Sequence, residues 1–65
     1  MITVNGENHV LDEQLTLRQL LDHLDMPARG IAVAVDGTVL PKSKWDATTV
    51  ENGWTIEVLT AVQGG

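Results

Sequence analysis

Hydrophobic and polar residues alternate over the first part of the chain. Ile2 and Val4 fall on one face of an extended segment, and a polar residue separates them. The dipeptide Asn5-Gly6 follows, and it favours a tight hairpin turn because both residues tolerate a positive φ. The stretch "MITVNGENHVL" therefore predicts a strand, a turn and a second strand. Only one of Val10 and Leu11 can point inward in a regular strand, and the pattern leaves both choices open.

The next hydrophobic residues recur with the period of an α-helix. Thr16 and Gln19 have the spacing of a capping box, which begins a helix by satisfying two free backbone N–H groups. Pro27 disfavours helical geometry at the residue before it and so closes the segment. We expect one helix over residues 17–25, with a single apolar stripe formed by Leu17, Leu20, Leu21 and Leu24.

Alternation returns in the second half of the chain. The stretch "IAVAV" places its larger side chains on one face, namely Ile31, Val33 and Val35. Asp36-Gly37 predicts a second turn, and "TVLP" predicts a short return strand that Pro41 closes. An irregular crossing over "KSKWDATT" then leads to the last strand. That strand has two faces, Trp54, Ile56 and Val58 on one and Thr55, Glu57, Leu59 and Ala61 on the other.

These elements follow one another in the order ββ-α-ββ-loop-β. One amphipathic helix and a set of one-sided strands pack most economically as a single mixed sheet across the helix. The first and last strands can pair in parallel near the centre of that sheet, because a long connection separates them. We therefore predict an α+β fold of the β-grasp type, the ubiquitin-like architecture, with four to five strands packed on one main helix. We expect residues 1–61 to form the domain and residues 62–65 to form a flexible C-terminal tail.

The composition argues against several classes of function and of stabilisation for such a small domain. The 65 residues include no cysteine, so close packing rather than disulfides or thiolate-bound metal must stabilise the fold. Four basic residues against nine acidic ones give a net charge of −5, which argues against nucleic-acid binding and favours partners with basic surfaces. The N-terminal sequence lacks the features of a signal peptide, and no apolar run is long enough for a membrane span. We expect a cytoplasmic protein.

The side chains offer few catalytic groups. His9 and His23 have no carboxylate or cysteine partner at metal-ligand spacing, and no glycine-rich phosphate loop follows a strand. Trp45 and Trp54 are best interpreted as core residues, with a docking anchor as the alternative. We therefore expect a protein that is not an enzyme and that binds no metal.

One face of the predicted sheet is less polar than a solvated face usually is. Its small and apolar members are Ala32, Ala34, Leu59 and Ala61. We interpret this outer face as a candidate surface for docking a partner protein, and a smooth surface without a function is the alternative.

The chain closes with "TAVQGG", where the last predicted strand gives way to two glycines. At this point the sequence resembles the ThiS family, the sulfur carrier proteins of thiamine thiazole biosynthesis. The resemblance covers nearly the whole chain and rests on "NG", "LTLRQLLDHL", "IAVAVDGTVLPKSKW", "IEVLTAV" and "QGG". Two positions depart from the family pattern, Asp36, where asparagine is common, and Trp54, where aspartate is usual.

The resemblance implies a chemical role for the last residue. An E1-like (ThiF-like) enzyme would use ATP to adenylate the Gly65 carboxylate, and sulfur from a cysteine desulfurase or another donor would then displace AMP. The resulting thiocarboxylate would pass to a ThiG-like thiazole synthase. Glycine leaves the acyl carbon unhindered, and Gly64, Gln63 and Val62 would thread into the active sites of the partners. ATP would belong to the partner, and this chain would bind no cofactor, nucleic acid or membrane.

Three other interpretations share some of these features. A molybdopterin-type sulfur carrier has the same fold and tail, although the short length and the absence of phenylalanine argue against it. A ubiquitin-like modifier would use the terminal glycine for an isopeptide bond to lysine. A plain interaction domain would give the glycines no role.

Overall fold

A computed structural model of the protein describes residues 1–26 and 30–60. The strands are β1 (Ile2–Val4), β2 (Glu7–His9), β3 (Ile31–Val35), β4 (Thr38–Leu40) and β5 (Thr55–Thr60). The helix α1 is Leu17–His23, and a short 3-10 helix, Lys42–Lys44, lies in the crossing between β4 and β5. The predicted boundary between a domain over residues 1–61 and a tail over residues 62–65 falls outside the described residues.

The five strands form one mixed sheet in the order β2-β1-β5-β3-β4. Strands β1 and β5 pair in parallel, and the other neighbouring strands pair antiparallel. The last strand therefore lies at the centre, between the two hairpins. This arrangement confirms the predicted β-grasp fold, including the parallel pairing of the first and last strands.

Both hairpins turn through two residues with positive φ. Asn5 has φ 51° and Gly6 has φ 84°, and Asp36 has φ 49° and Gly37 has φ 87°. These values define type I′ turns, whose twist matches the right-handed twist of the strands that they connect. The two dipeptides thus form the turns that the sequence predicts.

The helix begins as predicted and ends earlier than predicted. The Thr16 hydroxyl accepts from the Gln19 backbone N–H at 3.2 Å, and the Gln19 side chain accepts from the Thr16 N–H at 2.9 Å. The predicted helix over residues 17–25 is two residues too long, because Asp25 adopts φ 58° and cannot continue it. The Asp25 N–H donates to Asp22 O at 3.1 Å, and the Met26 N–H donates to Leu21 O at 2.9 Å.

These two bonds form a Schellman motif, in which the left-handed position is usually glycine. Asp25 occupies that position here, and Met26 packs against the core just beyond it. The predicted effect of Pro27 falls outside the described residues. The helix stops at its own C-terminal motif, before the proline.

The inner face of the sheet and the apolar stripe of α1 enclose the core. Leu11 packs against this core while Val10 is 75% exposed, so Leu11 is the inward-pointing residue of that pair. Trp45 is buried, and its Nε1–H donates to Leu40 O at 3.0 Å, which confirms its interpretation as a core residue. Trp54 packs against the core from its edge. The buried cluster comprises Ile2, Val4, Leu17, Leu20, Leu21, Val33, Trp45, Val50 and Ile56.

Replacing Asp25 by glycine should stabilise the protein. Glycine adopts positive φ without the steric cost of a Cβ atom, so Asp25→Gly should raise the free energy of unfolding by about 1 kcal/mol. Urea denaturation followed by tryptophan fluorescence measures this change. Asp25→Ala is the matched control, because it removes the charge from the helix end but keeps Cβ. Equal stabilisation by both variants would mean that the charge, and not the backbone conformation, destabilises this position.

Candidate functional site

Strand β5 leads into the C-terminal residues on which the sequence places the chemistry. Its parallel pairing with β1 runs through Thr3↔Thr55 and Val4↔Ile56. Its antiparallel pairing with β3 continues to Ile31↔Thr60, the last described residue. The strand that leads to the C-terminal segment therefore begins between two neighbouring strands, and its last residues stay paired with β3. The predicted tail residues Gly65, Gly64, Gln63 and Val62 lie outside the described residues, as does Ala61.

The two hairpin turns hold β5 from both sides. The Val58 N–H donates to Asn5 Oδ1 at 2.8 Å, and the Asn5 N–H donates to Ile56 O at 2.9 Å. On the other side, the Thr55 N–H donates to Asp36 Oδ1 at 3.1 Å, and the Asp36 N–H donates to Thr55 O at 2.8 Å. Asn5 and Asp36 thus each form part of a hairpin turn and also bind the backbone of the central strand β5.

On the outer face of the sheet, opposite α1, the side chains of β3, β4 and the end of β5 are mainly small and apolar, whereas Thr3, Asn8 and Thr55 make the β1 side polar. Leu59 is 58% exposed, and Ala32 pairs with it on the neighbouring strand. Ala34 is only 6% exposed, so it forms the floor of this face and offers little surface of its own. Of the four predicted docking residues, the structure thus brings Ala32, Ala34 and Leu59 onto one face, while Ala61 lies outside the described residues.

Val39 belongs to the same face, although it was not among the predicted docking residues. It pairs with Ala34 across β3 and β4 and is 66% exposed. The alternation within "TVL" carries this signal, because the residue opposite Ala34 must share its face. Among the described residues of β3, β4 and β5, Glu57 is the single charged side chain on this face. We call Ala32, Ala34, Val39, Glu57 and Leu59 the outer patch.

The described residues contain no catalytic constellation. No group of three or more histidine, aspartate or glutamate side chains in residues 1–26 and 30–60 is placed to hold a metal ion. His9 Nε2 lies 3.7 Å from Glu7 Oε1, a surface pair whose carboxylate side chain is 82% exposed. Arg18 Nε lies 3.2 Å from Asp46 Oδ1, where it links the helix to the crossing segment. None of these pairs adjoins a nucleophile in the described part of the chain.

α1 is the only α-helix in residues 1–26 and 30–60, and it is too short to cross a membrane.

The fold and the described residues together define a small ubiquitin-like β-grasp domain without a catalytic set in its described part. A family model described as "ThiS family" matches residues 2–65. The chain therefore belongs to the ThiS family, whose members are small sulfur carrier proteins of thiamine biosynthesis.

A solved structure agrees with this assignment, and related sequences match nearly the whole chain. The chain is similar to the crystal structure of a thiamine biosynthesis protein (ThiS) from Geobacter metallireducens, with a TM-score of 0.85, 37% identity, and coverage of 98% of this chain and 97% of that one. It is 34% identical over 64 residues to an uncharacterized protein ycf40 of Porphyra purpurea, covering 98% of this chain and 90% of that protein. It is also 28% identical over 64 residues to a thiazole synthase of Paramagnetospirillum magneticum, covering 98% of this chain but 20% of that protein.

Removing the Asn5 side chain should loosen the root of the C-terminal segment. Asn5→Gly keeps the positive φ of the turn but loses the acceptor of the Val58 N–H, so it should destabilise the protein by about 1 kcal/mol. Amide exchange measured by NMR should accelerate more at Val58 than at the other hydrogen-bonded amides of β5. Asn5→Asp retains the side-chain oxygen and the turn, so it should preserve the slow exchange. If Val58 exchanges at the same rate in the glycine variant, the Asn5 side chain does not hold this strand.

Proposed function

We propose that this protein carries sulfur as a thiocarboxylate on Gly65 and donates it to thiazole synthase in thiamine biosynthesis. The observation that carries the proposal is the family match, which extends to Gly65. The fold supports it, because a rigid sheet positions the root of the C-terminal segment and the described side chains offer no reaction of their own. The protein then acts as a co-substrate of its partners and not as a catalyst.

The chemistry starts with activation of the carboxylate. A carboxylate is a poor acyl donor because its oxygen is a poor leaving group. In the active site of an E1-like (ThiF-like) enzyme, a Gly65 oxygen attacks the α-phosphorus of ATP, which forms an acyl-adenylate and releases pyrophosphate. ATP is thus a substrate bound by the partner, and this chain needs no cofactor of its own.

Sulfur enters in the second step. The terminal sulfur of a persulfide, carried by a cysteine desulfurase or another donor, attacks the acyl carbon and expels AMP. The acyl disulfide that forms is then cleaved by a thiol, which is oxidised to a disulfide with the donor cysteine while the carrier leaves as the thiocarboxylate. Gly65 suits this attack because its CH₂ leaves the acyl carbon open from both faces. Gly64, Gln63 and Val62 are the residues that thread into the active site.

A ThiG-like thiazole synthase is the proposed acceptor of the sulfur. The relative from Paramagnetospirillum magneticum supports this assignment, since a protein described as a thiazole synthase contains a segment similar to nearly all of this chain. In that protein the similar segment makes up one fifth of the length. Physical linkage of the two domains in a relative is consistent with a transfer reaction between them here.

The outer patch is the proposed docking surface for the adenylating enzyme, together with Ala61 from the sequence prediction. Leu59 and Val39 are its two large exposed hydrophobic residues, and apolar side chains exposed on one face often mark a protein interface. The net charge of −5 favours a partner with basic groups around this surface and disfavours nucleic acid. We also propose that the protein acts in the cytoplasm, together with these reaction partners.

Incubation with the adenylating enzyme, ATP, a persulfide donor and a thiol should change the intact mass of the protein. Replacement of one oxygen by sulfur adds about 16 daltons, and fragmentation should assign the gain to Gly65. Deletion of Gly65 should abolish the gain and leave the melting temperature unchanged.

Other mass changes would contradict this proposal. Conjugates with other proteins would identify a ubiquitin-like modifier, and sulfur transfer to a molybdopterin precursor would identify the other carrier class. An unchanged mass with an active enzyme would contradict any carrier function.

Changing Leu59 to glutamate should weaken binding to the adenylating enzyme without unfolding the protein. A carboxylate in a desolvated apolar contact should raise Kd by roughly tenfold or more, and isothermal titration calorimetry measures this change. Val10→Glu is the matched control, because Val10 is 75% exposed and follows β2 at the far edge of the sheet. Equal affinities of the two variants would exclude the outer patch as the docking surface.

A further inference from the structure

Strand β5 pairs with a neighbouring strand on both sides for only part of its length. Its pairing with β1 ends at Val4↔Ile56, whereas its pairing with β3 continues to Ile31↔Thr60. The turn at Asn5 directs the chain away from β5 beyond that point, because Asn5 adopts φ 51°. The end of β5 is thus a sheet edge, although the strand lies at the centre of the fold.

The alternation of hydrogen bonds shows which backbone groups face this edge. The bonds of Ile56 O and the Val58 N–H go to Asn5, on the β1 side. The bonds of the Thr55 N–H and O go to Asp36, on the β3 side. Since these directions alternate along a strand, Val58 O, the Thr60 N–H and Thr60 O face the β1 side. None of the three has a hydrogen-bond partner among residues 1–26 and 30–60.

Asn5 gives this edge a defined beginning. Its side chain satisfies the Val58 N–H, so the first group without a partner in residues 1–26 and 30–60 is Val58 O, followed by the N–H and O of Thr60. An acceptor, a donor and an acceptor at this spacing match the backbone of one extended peptide. Thr60 is exposed, as an added strand requires. We call the backbone of Val58–Thr60 on this side the β5 edge.

We propose that the E1-like adenylating enzyme binds the β5 edge by adding an extended segment of its own chain as a strand. The inference rests on the proposed function, because the β5 edge lies directly before the residues that enter the active site. Backbone bonds at Val58–Thr60 set the register of the residues that follow and so align the Gly65 carboxylate with ATP. A second copy of this chain is a poorer occupant, because each copy has a net charge of −5 and the edge is short.

Thr60 variants test this proposal because the Thr60 N–H takes no part in the sheet that the described residues form. Thr60→Pro removes that N–H at an edge position where proline is tolerated, and Thr60→Val removes only the hydroxyl. Loss of one backbone bond and obstruction of the added strand should raise Kd for the adenylating enzyme by roughly tenfold in the proline variant. The valine variant should bind like the wild type. Calorimetry of the wild type and both variants against the purified enzyme of the same organism, without ATP, provides the comparison.

Amide exchange adds a measurement that does not depend on a substitution. In the free protein, the Thr60 N–H should exchange fast. The Leu59 N–H should exchange slowly, since this N–H points towards β3 and bonds within the sheet. In the complex, the Thr60 N–H should become slow. A chemically ligated chain with an ester in place of the Thr60 amide removes the same N–H without a proline ring, and it replaces the proline variant if thermal melting shows that variant to be unfolded.

Three results would overturn the proposal. They are wild-type affinity in the chain that lacks the Thr60 N–H, fast exchange of this N–H in the complex, and a dimer of the free chain that Thr60→Pro dissociates. Binding of the wild type without a gain in mass when ATP and the sulfur source are added would contradict the proposed function alone. A wild-type chain that does not bind the enzyme would contradict both.

Discussion

The position of β5 between the two hairpins is the constraint on which the rest of the structure depends. This strand pairs in parallel with β1 and antiparallel with β3, and it enters the sheet only after the long crossing from β4. Asn5 and Asp36 bind its backbone from opposite sides with side chains that also form the hairpin turns. The direction in which the chain leaves the sheet is therefore set by contacts that close the fold. A C-terminal segment presented from such a strand starts from a fixed point.

The two faces of β5 have different roles, since one packs in the core and the other is open to a partner protein. Ile56 is fully buried on the inner face, and burial of a side chain of this size contributes about 1.5–3 kcal/mol. Leu59 is 58% exposed on the other face, which no helix within residues 1–26 and 30–60 covers. Because the core lies on one side only, residues of the outer patch are open to a partner without loss of packing. Glu57 places a carboxylate within this patch, which favours a partner that has a basic group there.

Local patterns predicted much of this fold. The dipeptides Asn5-Gly6 and Asp36-Gly37 have the φ preferences of type I′ turns, and Thr16 with Gln19 forms the capping box. The end of the helix was wrong by two residues because an aspartate takes the left-handed position where glycine is the usual signal. Alternation along β3 and β5 also placed Ala32 and Leu59 correctly on the outer face.

The parts that the sequence did not predict depend on register between distant strands. The bond from the Val58 N–H to Asn5 joins residues that are 53 positions apart, and no local pattern indicates it. Val39 is different, because its pairing with Ala34 lies within one tight hairpin and the alternation within "TVL" already indicates its face. To predict the β5 edge, one must know how far β1 and β3 each pair along β5, and only the structure shows this. The chemistry proposed for Gly65 came from a resemblance to a family and not from geometry.

The central claim is that the reactive group is the Gly65 carboxyl and that the folded domain presents it to the partners without taking part in the chemical step. Carbon NMR of a chain labelled at the Gly65 carbonyl, recorded during reaction with the adenylating enzyme, ATP, the persulfide donor and a thiol, tests this claim most directly. The account predicts that the Gly65 carbonyl resonance moves to the position of a thiocarboxylate. The amide proton resonances of the folded domain should be the same before and after the reaction. An unchanged Gly65 carbonyl, or a lasting change centred on residues within the sheet, would contradict it.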